Sequence, residues 1–156
     1  MKTLILFYSR TGITKKIAEN LTNSLGADME EVFDTVNRSG VFGYMRAGKD
    51  AISKKLTIIK PLIHNLSDYD LIIIGTPVWV GLMATPIRTI ITEQKDKIKQ
   101  VALFCTQGAT NTQGALADMT KLLEKQIVAT LEISTKEVVN NNFAEKLNKF
   151  VSEINK

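Results

Sequence analysis

Three segments of this chain carry residue types that suit the binding of a phosphate group and of a flat ring. The first is Ser9-Arg10-Thr11-Gly12-Ile13-Thr14, which stands directly before a predicted helix. Its three hydroxyls and the free backbone N–H groups of the helix start can donate to an anion, and the helix dipole favours negative charge there. Gly12 lets the backbone approach such a group closely. The alternative is that Thr11 or Thr14 only caps the helix.

The second segment holds the only tryptophan of the chain, within Gly75-Thr76-Pro77-Val78-Trp79-Val80-Gly81-Leu82. A flat aromatic side chain in a loop is a natural surface on which a planar ligand stacks. The alternative is that Trp79 lines the core and anchors the loop, which is common for this residue type.

The third segment is polar and uncharged, Thr106-Gln107-Gly108-Ala109-Thr110-Asn111-Thr112-Gln113-Gly114. Its backbone and amide groups can contact the edge of a heteroaromatic ring. An ordinary loop between a strand and a helix has the same composition, so this segment alone does not distinguish a ligand-binding loop from a simple connection.

These segments are positioned by apolar runs that alternate with helical periodicity. Continuous apolar runs predict strands at 4–8, 29–33, 71–74, 101–105 and 127–133, the third of them closed by Gly75. Helical spacing predicts helices over 13–25, from Pro86 onward, over 116–123 and over 143–154. Strands alternating with helices imply a parallel sheet, and continuous apolar strands imply that both of its faces are covered. We therefore expect an α/β, doubly wound, three-layer sandwich.

The position of the three segments in this fold predicts a ligand site. Each segment follows a predicted strand, and ligands of open α/β sheets bind beyond the carboxyl ends of the strands. A phosphate-binding loop, an aromatic surface and a polar edge are thus expected to meet at one end of the sheet.

With these motifs the chain resembles the flavodoxin family, over essentially its whole length. The resemblance implies the flavodoxin-like fold, with a five-stranded parallel sheet in the order 2-1-3-4-5, and FMN as cofactor. It implies that Ser9, Thr11, Gly12 and Thr14, within the segment that also contains Arg10 and Ile13, hold the FMN phosphate. It implies stacking of Trp79 on the flavin, with Val78 and Val80 beside it between Pro77 and Gly81, and Thr106, Gln107 and Gly108 at the pyrimidine edge.

The resemblance implies an electron carrier that works with a redox partner protein. The alternative is an NAD(P)H-dependent FMN oxidoreductase of the same fold that reduces a small acceptor such as a quinone. Two departures bear on this choice. Val80 stands where many flavodoxins have glycine directly after the tryptophan, and the third segment lacks the tyrosine that often covers the outer ring. An open outer flavin face would admit a second planar substrate.

Composition bounds the remaining possibilities. The 156 residues include 20 Lys+Arg and 16 Asp+Glu, which gives a formal net charge of +4, and the length favours one domain over 1–156. A single cysteine, Cys105, excludes an intramolecular disulfide and favours a cytoplasmic protein. The apolar runs are too short for a secretory signal or for membrane insertion. A single histidine, His64, excludes a histidine metal cluster, and no nucleic-acid-binding motif is found. The oligomeric state is left open.

The positive charge is concentrated in the least regular segment, 36–60. Its six cations are opposed only by Asp50, and they are Arg38, Arg46, Lys49, Lys54, Lys55 and Lys60. Met45, Ile52, Leu56 and Ile59 keep helical spacing there and predict a helix, whose start is weakened by Gly40, Gly43 and Gly48. We expect a diffuse basic shoulder that steers an acidic partner or an NADPH phosphate.

Overall fold

Five parallel strands form the central sheet. In the computed structural model, which describes residues 1–108 and 113–156, they are β1 (Thr3–Phe7), β2 (Asp28–Glu31), β3 (Leu71–Trp79), β5 (Gln100–Gln107) and β6 (Ile127–Ser134). A two-residue strand, β4 (Leu82–Met83), pairs antiparallel with the end of β3. The order β2-β1-β3-β5-β6 is the predicted order once β4 is set aside. The flavodoxin-like fold is thereby confirmed.

Helices cover both faces of this sheet. They are α1 (Ile13–Leu25), α2 (Gly40–Ile52), α3 (Thr85–Gln94), α4 (Gln113–Leu123), α5 (Thr135–Val139) and α6 (Ala144–Ile154). Gly26 ends α1 in the left-handed conformation, as its position predicted, and Pro86 stands in the first turn of α3. The short helix α5 was not predicted. Among the described residues, no helix has the length and apolar character needed to cross a membrane.

Alternating side chains of the central strands divide the core into two layers. Leu4 and Leu6 of β1 pack with α2, α3 and α4, whereas Ile5 and Phe7 pack with α1, α5 and α6. β3 and β5 divide in the same way, and their apolar residues up to Ile74 and Phe104 are fully buried. Each central strand is therefore apolar at every position because it has a helical layer on either side.

The expectation that Gly75 closes the third strand is wrong. β3 continues through Gly75 to Trp79, and Gly75 pairs with Phe104 of β5. A Cβ atom at Gly75 would lie 2.1 Å from the Phe104 ring, so the glycine makes room for an aromatic side chain in the middle of the sheet. The fourth predicted strand is also longer than expected, since β5 extends through Thr106 and Gln107.

The helix predicted within 36–60 exists as α2, but it ends at Ile52, before Leu56 and Ile59, and its buried face was misassigned. The buried residues of α2 are Gly43, Ala47 and Ala51, whereas Met45 and Ile52 are exposed. A Cβ atom at Gly43 would lie 2.2 Å from the backbone carbonyl carbon of Arg38, so this glycine permits close packing of the helix on the preceding loop. Small residues at spacing i, i+4, i+8 mark the buried face.

We expect Gly75→Ala to lower the free energy of unfolding by about 1–3 kcal/mol, because the added methyl group overlaps the Phe104 ring in a closely packed layer. Urea denaturation followed by circular dichroism measures the change. Gly108→Ala is the matched control, since a Cβ atom there meets no atom of the described residues within 4 Å. Equal effects of the two substitutions would contradict this account of Gly75.

Candidate functional site

A cavity of about 190 Å³ lies at the carboxyl ends of β1, β3 and β5. Residues from all three predicted segments line it: Arg10, Thr11, Ile13, Thr14, Pro77, Val78, Trp79, Thr106 and Gly108. Tyr44 of α2 and Thr135 of α5 complete the lining. Ser9, Gly12, Val80, Gly81 and Gln107 lie outside the lining. Ala109 to Thr112 of the third segment lie outside the described residues.

The loop between β1 and α1 is organised around the hydroxyl of Ser9. Its Oγ accepts hydrogen bonds from the backbone N–H groups of Gly12 and Lys15, at 3.1 and 3.2 Å. Gly12 adopts the left-handed conformation with φ of 87° and has open space beside it. Gly12 has no side chain to cap α1, and Ser9 accepts from only two of the backbone N–H groups at the helix start, so those of Ile13 and Thr14 are available to an anion. The hydroxyl proton of Ser9 also remains available for donation.

A buried hydrogen bond joins the first and third segments. The hydroxyls of Thr14 and Thr106 lie 2.8 Å apart, and both residues line the cavity. One of the two hydroxyls donates its proton in this bond, so only the other hydroxyl keeps a proton that it can donate to a ligand. The bond connects the first turn of α1 to the end of β5 in the lining of the cavity.

Trp79 stands in the core and at the cavity at once. It is only 6% exposed, lies edge-on to the Tyr8 ring with centroids 5.4 Å apart, and has the Arg38 guanidinium 5.3 Å from its ring centroid. Trp79 thus packs with the core, as one alternative expects, and also lines the cavity, whereas its stacking on a planar ligand stays a prediction.

The expectation of a long second loop is wrong. Pro77, Val78 and Trp79 belong to β3, and the connection to β4 is the turn at Val80 and Gly81, with φ of 50° and 76°. The reason is that β3 gains an antiparallel partner, so its backbone stays extended up to the tryptophan.

Two glycines allow α2 and α4 to pack closely against this turn. A Cβ atom at Gly114 of α4 would lie 2.2 Å from the carbonyl oxygen of Gly81. A Cβ atom at Gly48 of α2 would lie 3.1 Å from Cγ2 of Val80. A β-branched residue at positive φ is uncommon and persists only where the surrounding structure imposes it. Packing from both sides thus explains how Val80 keeps this conformation.

Gln107 is directed to a different partner. Its side-chain amide nitrogen donates to the carboxylate of Glu132 on β6. The side-chain amide nitrogen is thus engaged with Glu132, and the predicted contact of Gln107 with the edge of a ligand would be made by its backbone groups.

A buried ion cluster supports the wall behind Trp79. The Arg38 guanidinium donates to Asp34 at 2.8 Å and to Asp50 of α2 at 2.9 Å, and Arg38 is 4% exposed. Burial, reinforced by the negative charge of Asp34, raises the pKa of Tyr8 to about 12, so the tyrosine stays neutral. The cluster fixes the loop before α2 to the helix and places a cation on the tryptophan.

The sequence interpretation missed Tyr44 and Thr135. Thr135 follows directly on β6, so the carboxyl-end rule that singled out the other three strands would also have found it. Nothing in the local sequence marks Tyr44, which reaches the cavity because the small face of α2 packs inward and turns the tyrosine toward Arg10. The Arg10 guanidinium lies 5.3 Å from the Tyr44 ring centroid.

The lining contains few groups for acid–base or nucleophilic chemistry. The described lining has no carboxylate, imidazole or thiol. Burial raises the pKa of Cys105 to about 12, which keeps this nearby thiol protonated. His64 instead bonds Glu30 at the edge of the sheet, and the described residues contain no group of three or more side chains suited to a metal ion.

The family model for flavodoxin matches residues 2–154. The chain belongs to the flavodoxin family. A flavoprotein from Lactobacillus acidophilus, solved in complex with FMN, is 28% identical, with a TM-score of 0.70 over 89% of this chain and 97% of that chain. No curated protein matches the chain in sequence.

More distant solved structures share the flavodoxin fold. A flavoprotein from Bacteroides eggerthii is 22% identical, with a TM-score of 0.69 over 93% of this chain and 97% of that chain. Oxidised flavodoxin 2 from Bacillus cereus is 20% identical, with a TM-score of 0.56 over 94% of this chain and 99% of that chain. At these identities the likeness shows the fold alone.

In this flavodoxin family member we expect Arg38→Met to lower the free energy of unfolding by about 3–5 kcal/mol, because Asp34 and Asp50 lose their buried cation. Urea denaturation followed by Trp79 fluorescence measures the loss. The triple variant Asp34→Asn, Arg38→Met, Asp50→Asn recovers part of it, since no unpaired charge remains.

Arg46→Met is the matched control for this prediction. Arg46 is exposed on the same helix and makes no ion pair within the described residues, so its effect should stay within about 0.5 kcal/mol. If Arg38→Met were no more destabilising than Arg46→Met, the cluster would have no structural role.

Proposed function

We propose that this chain binds FMN non-covalently in the cavity at the carboxyl ends of β1, β3 and β5 and transfers electrons to or from a redox partner protein. The observation that carries the proposal is the convergence, at one cavity, of a helix N-terminus that keeps the N–H groups of Ile13 and Thr14 for an anion with an apolar, aromatic wall. The 28% identity to a flavoprotein solved with FMN supports it. The unbridged Cys105 fits a reducing compartment, and we place the function in the cytoplasm.

The loop between β1 and α1 is the end that would hold the phosphate. The chemistry of its donors fits, because the hydroxyls of Ser9 and Thr11 precede a helix start at which the N–H groups of Ile13 and Thr14 remain available. Gly12 leaves open space next to that turn. Arg10, which lines the cavity, adds a positive charge near the anion.

The rest of the cavity lining would hold the ring system. Pro77, Val78, Trp79 and Tyr44 form apolar and aromatic walls, and the backbone of Thr106 and Gly108 offers polar groups to a heteroaromatic edge, with Gln107 between them outside the lining. The cavity of about 190 Å³ is smaller than the roughly 300–1,000 Å³ of most small-molecule sites. Part of the ring system would then project toward solvent, where a partner can reach it.

Bound FMN supplies the uptake and release of electrons. The side chains of the chain bind and orient the cofactor and exclude water from one of its sides. Electron transfer needs no catalytic acid or base, which agrees with the described lining.

A second candidate function is NAD(P)H-dependent reduction of a small acceptor such as a quinone. Arg10 favours it, because a guanidinium at the cavity mouth suits the phosphates of a dinucleotide. Steady oxidation of NAD(P)H in the presence of a quinone identifies this enzyme. Without such turnover, reduction of the bound flavin by a flavodoxin or ferredoxin reductase identifies the carrier.

The test of FMN binding is a titration of the apoprotein with FMN and with riboflavin, followed by quenching of flavin fluorescence. We expect FMN to bind tighter by about tenfold or more, because riboflavin lacks the phosphate that the helix N-terminus recognises. Gly12→Asp places a carboxylate at that terminus and should weaken FMN binding while changing riboflavin binding little.

Gly26→Asp is the matched control for the titration. Gly26 has the same left-handed conformation and the same open space, at the other end of α1. Its substitution should leave the preference for FMN intact. An apoprotein that quenches neither flavin would overturn the proposed function, and equal binding of the two flavins would overturn the phosphate site.

A further inference from the structure

An apolar stripe on α2 faces outward beside the candidate FMN cavity. At about 100° per residue, its positions span about 100° of the helix surface, beside the face formed by the buried Gly43, Ala47 and Ala51. The stripe consists of Val41, Tyr44, Met45, Gly48 and Ile52. Its four side chains are 61–75% exposed. Helices of globular proteins normally turn such a stripe to the core, so its exposure points to a partner.

The α2 stripe is continuous with the candidate site. Tyr44 lines the cavity at one edge of the stripe. At its middle, Gly48 lies against Val80, which is 62% exposed and directly follows Trp79. A molecule that covers the stripe therefore also covers the mouth of the cavity.

The charge around the α2 stripe is positive. Arg46 and Lys49 flank it on the side away from the cavity, and neither makes an ion pair within the described residues. Arg10 stands over the Tyr44 ring on the other side. Asp50 is the only carboxylate of α2, and it forms an ion pair with Arg38. The stripe is thus an apolar surface with an unneutralised cationic rim.

We propose that the α2 stripe is the docking surface for an electron-transfer protein whose own contact surface is apolar and surrounded by carboxylates. The inference rests on the proposed function, because docking here brings the redox centre of the partner to the cavity mouth. A cationic rim attracts such a partner and orients it before contact.

The charges argue against two other occupants. A second copy of this chain also carries a formal net charge of +4 and the same Arg46 and Lys49, so two stripes repel each other at their rims. Segments that hold anionic lipid surfaces carry clusters of about 4–8 cations, more than the rim of this stripe provides.

The test titrates the FMN-loaded protein by calorimetry with two small redox proteins of opposite charge. The acidic probe is an oxidised plant-type [2Fe–2S] ferredoxin, and the basic probe is oxidised mitochondrial cytochrome c. We expect the ferredoxin to bind and its affinity to fall as sodium chloride is raised, whereas cytochrome c does not bind. Binding of cytochrome c as tight as that of ferredoxin, or binding of neither, would overturn the proposal.

Two double variants locate the interface. Arg46→Glu with Lys49→Glu should weaken ferredoxin binding about tenfold or more, because the rim becomes repulsive. Lys97→Glu with Lys99→Glu, on exposed residues near the opposite end of the sheet, changes the net charge equally and should leave the affinity within about twofold. Met45→Ser with Ile52→Ser removes apolar side chains of the stripe and should also weaken binding. Equal losses in the two charge variants would show non-specific attraction and overturn the proposal.

Two further measurements complete the test. A dimer detected by light scattering that Met45→Ser with Ile52→Ser abolishes, or co-sedimentation with anionic phospholipid vesicles, would overturn the proposal and replace the proposed occupant with a second copy or a membrane. FMN uptake is measured first for every variant. A chain that takes up no FMN contradicts the proposed function, whereas a loaded chain that does not bind ferredoxin contradicts only the docking surface.

Discussion

Burial of both faces of the central strands is the constraint on which the rest of this structure depends. β1, β3 and β5 are apolar at nearly every position, so neither face tolerates solvent, and helices must cover both. Parallel strands connected through those helices all end at one edge of the sheet. The loops that follow β1, β3 and β5 are therefore brought together, although far apart in sequence. The hydrogen bond between Thr14 and Thr106 is the direct product of that convergence.

A second constraint shapes the wall of the site. Arg38 is buried with two carboxylates and a tryptophan, and it fixes both the loop before α2 and the helix itself. Small residues of α2 then pack inward, and the larger apolar ones face solvent. The same arrangement thus brings Tyr44 to the cavity and leaves the α2 stripe exposed beside it.

The sequence predicts those features that follow from local pattern. Apolar runs and helical periodicity are enough for the existence of the five parallel strands and of most helices, and Gly26 correctly marks the end of α1. The order of the strands in the sheet was implied by the resemblance to the flavodoxin family and not by local pattern. The convergence of Thr11, Thr14, Trp79 and Thr106 followed from the position of each after a strand. Local pattern could not show that Gly75 accommodates the Phe104 ring, because that contact joins two strands.

The same limit explains the error in α2 and the two missed residues. Met45 and Ile52 are apolar with helical spacing, and only the packing of Gly43 against the Arg38 backbone decides that they face outward. Tyr44 reaches the cavity through that packing. Thr135 was missed for a different reason, since the rule that strand ends carry the site was applied to three strands and not to β6.

A crystal structure of the FMN complex tests the central claim most directly. The account predicts phosphate oxygens within about 3.2 Å of backbone N–H groups between Thr11 and Thr14, and the ring system between Tyr44 and the end of β3. A phosphate bound away from the β1–α1 loop, or a flavin that lies outside the cavity lined by Trp79, would contradict it.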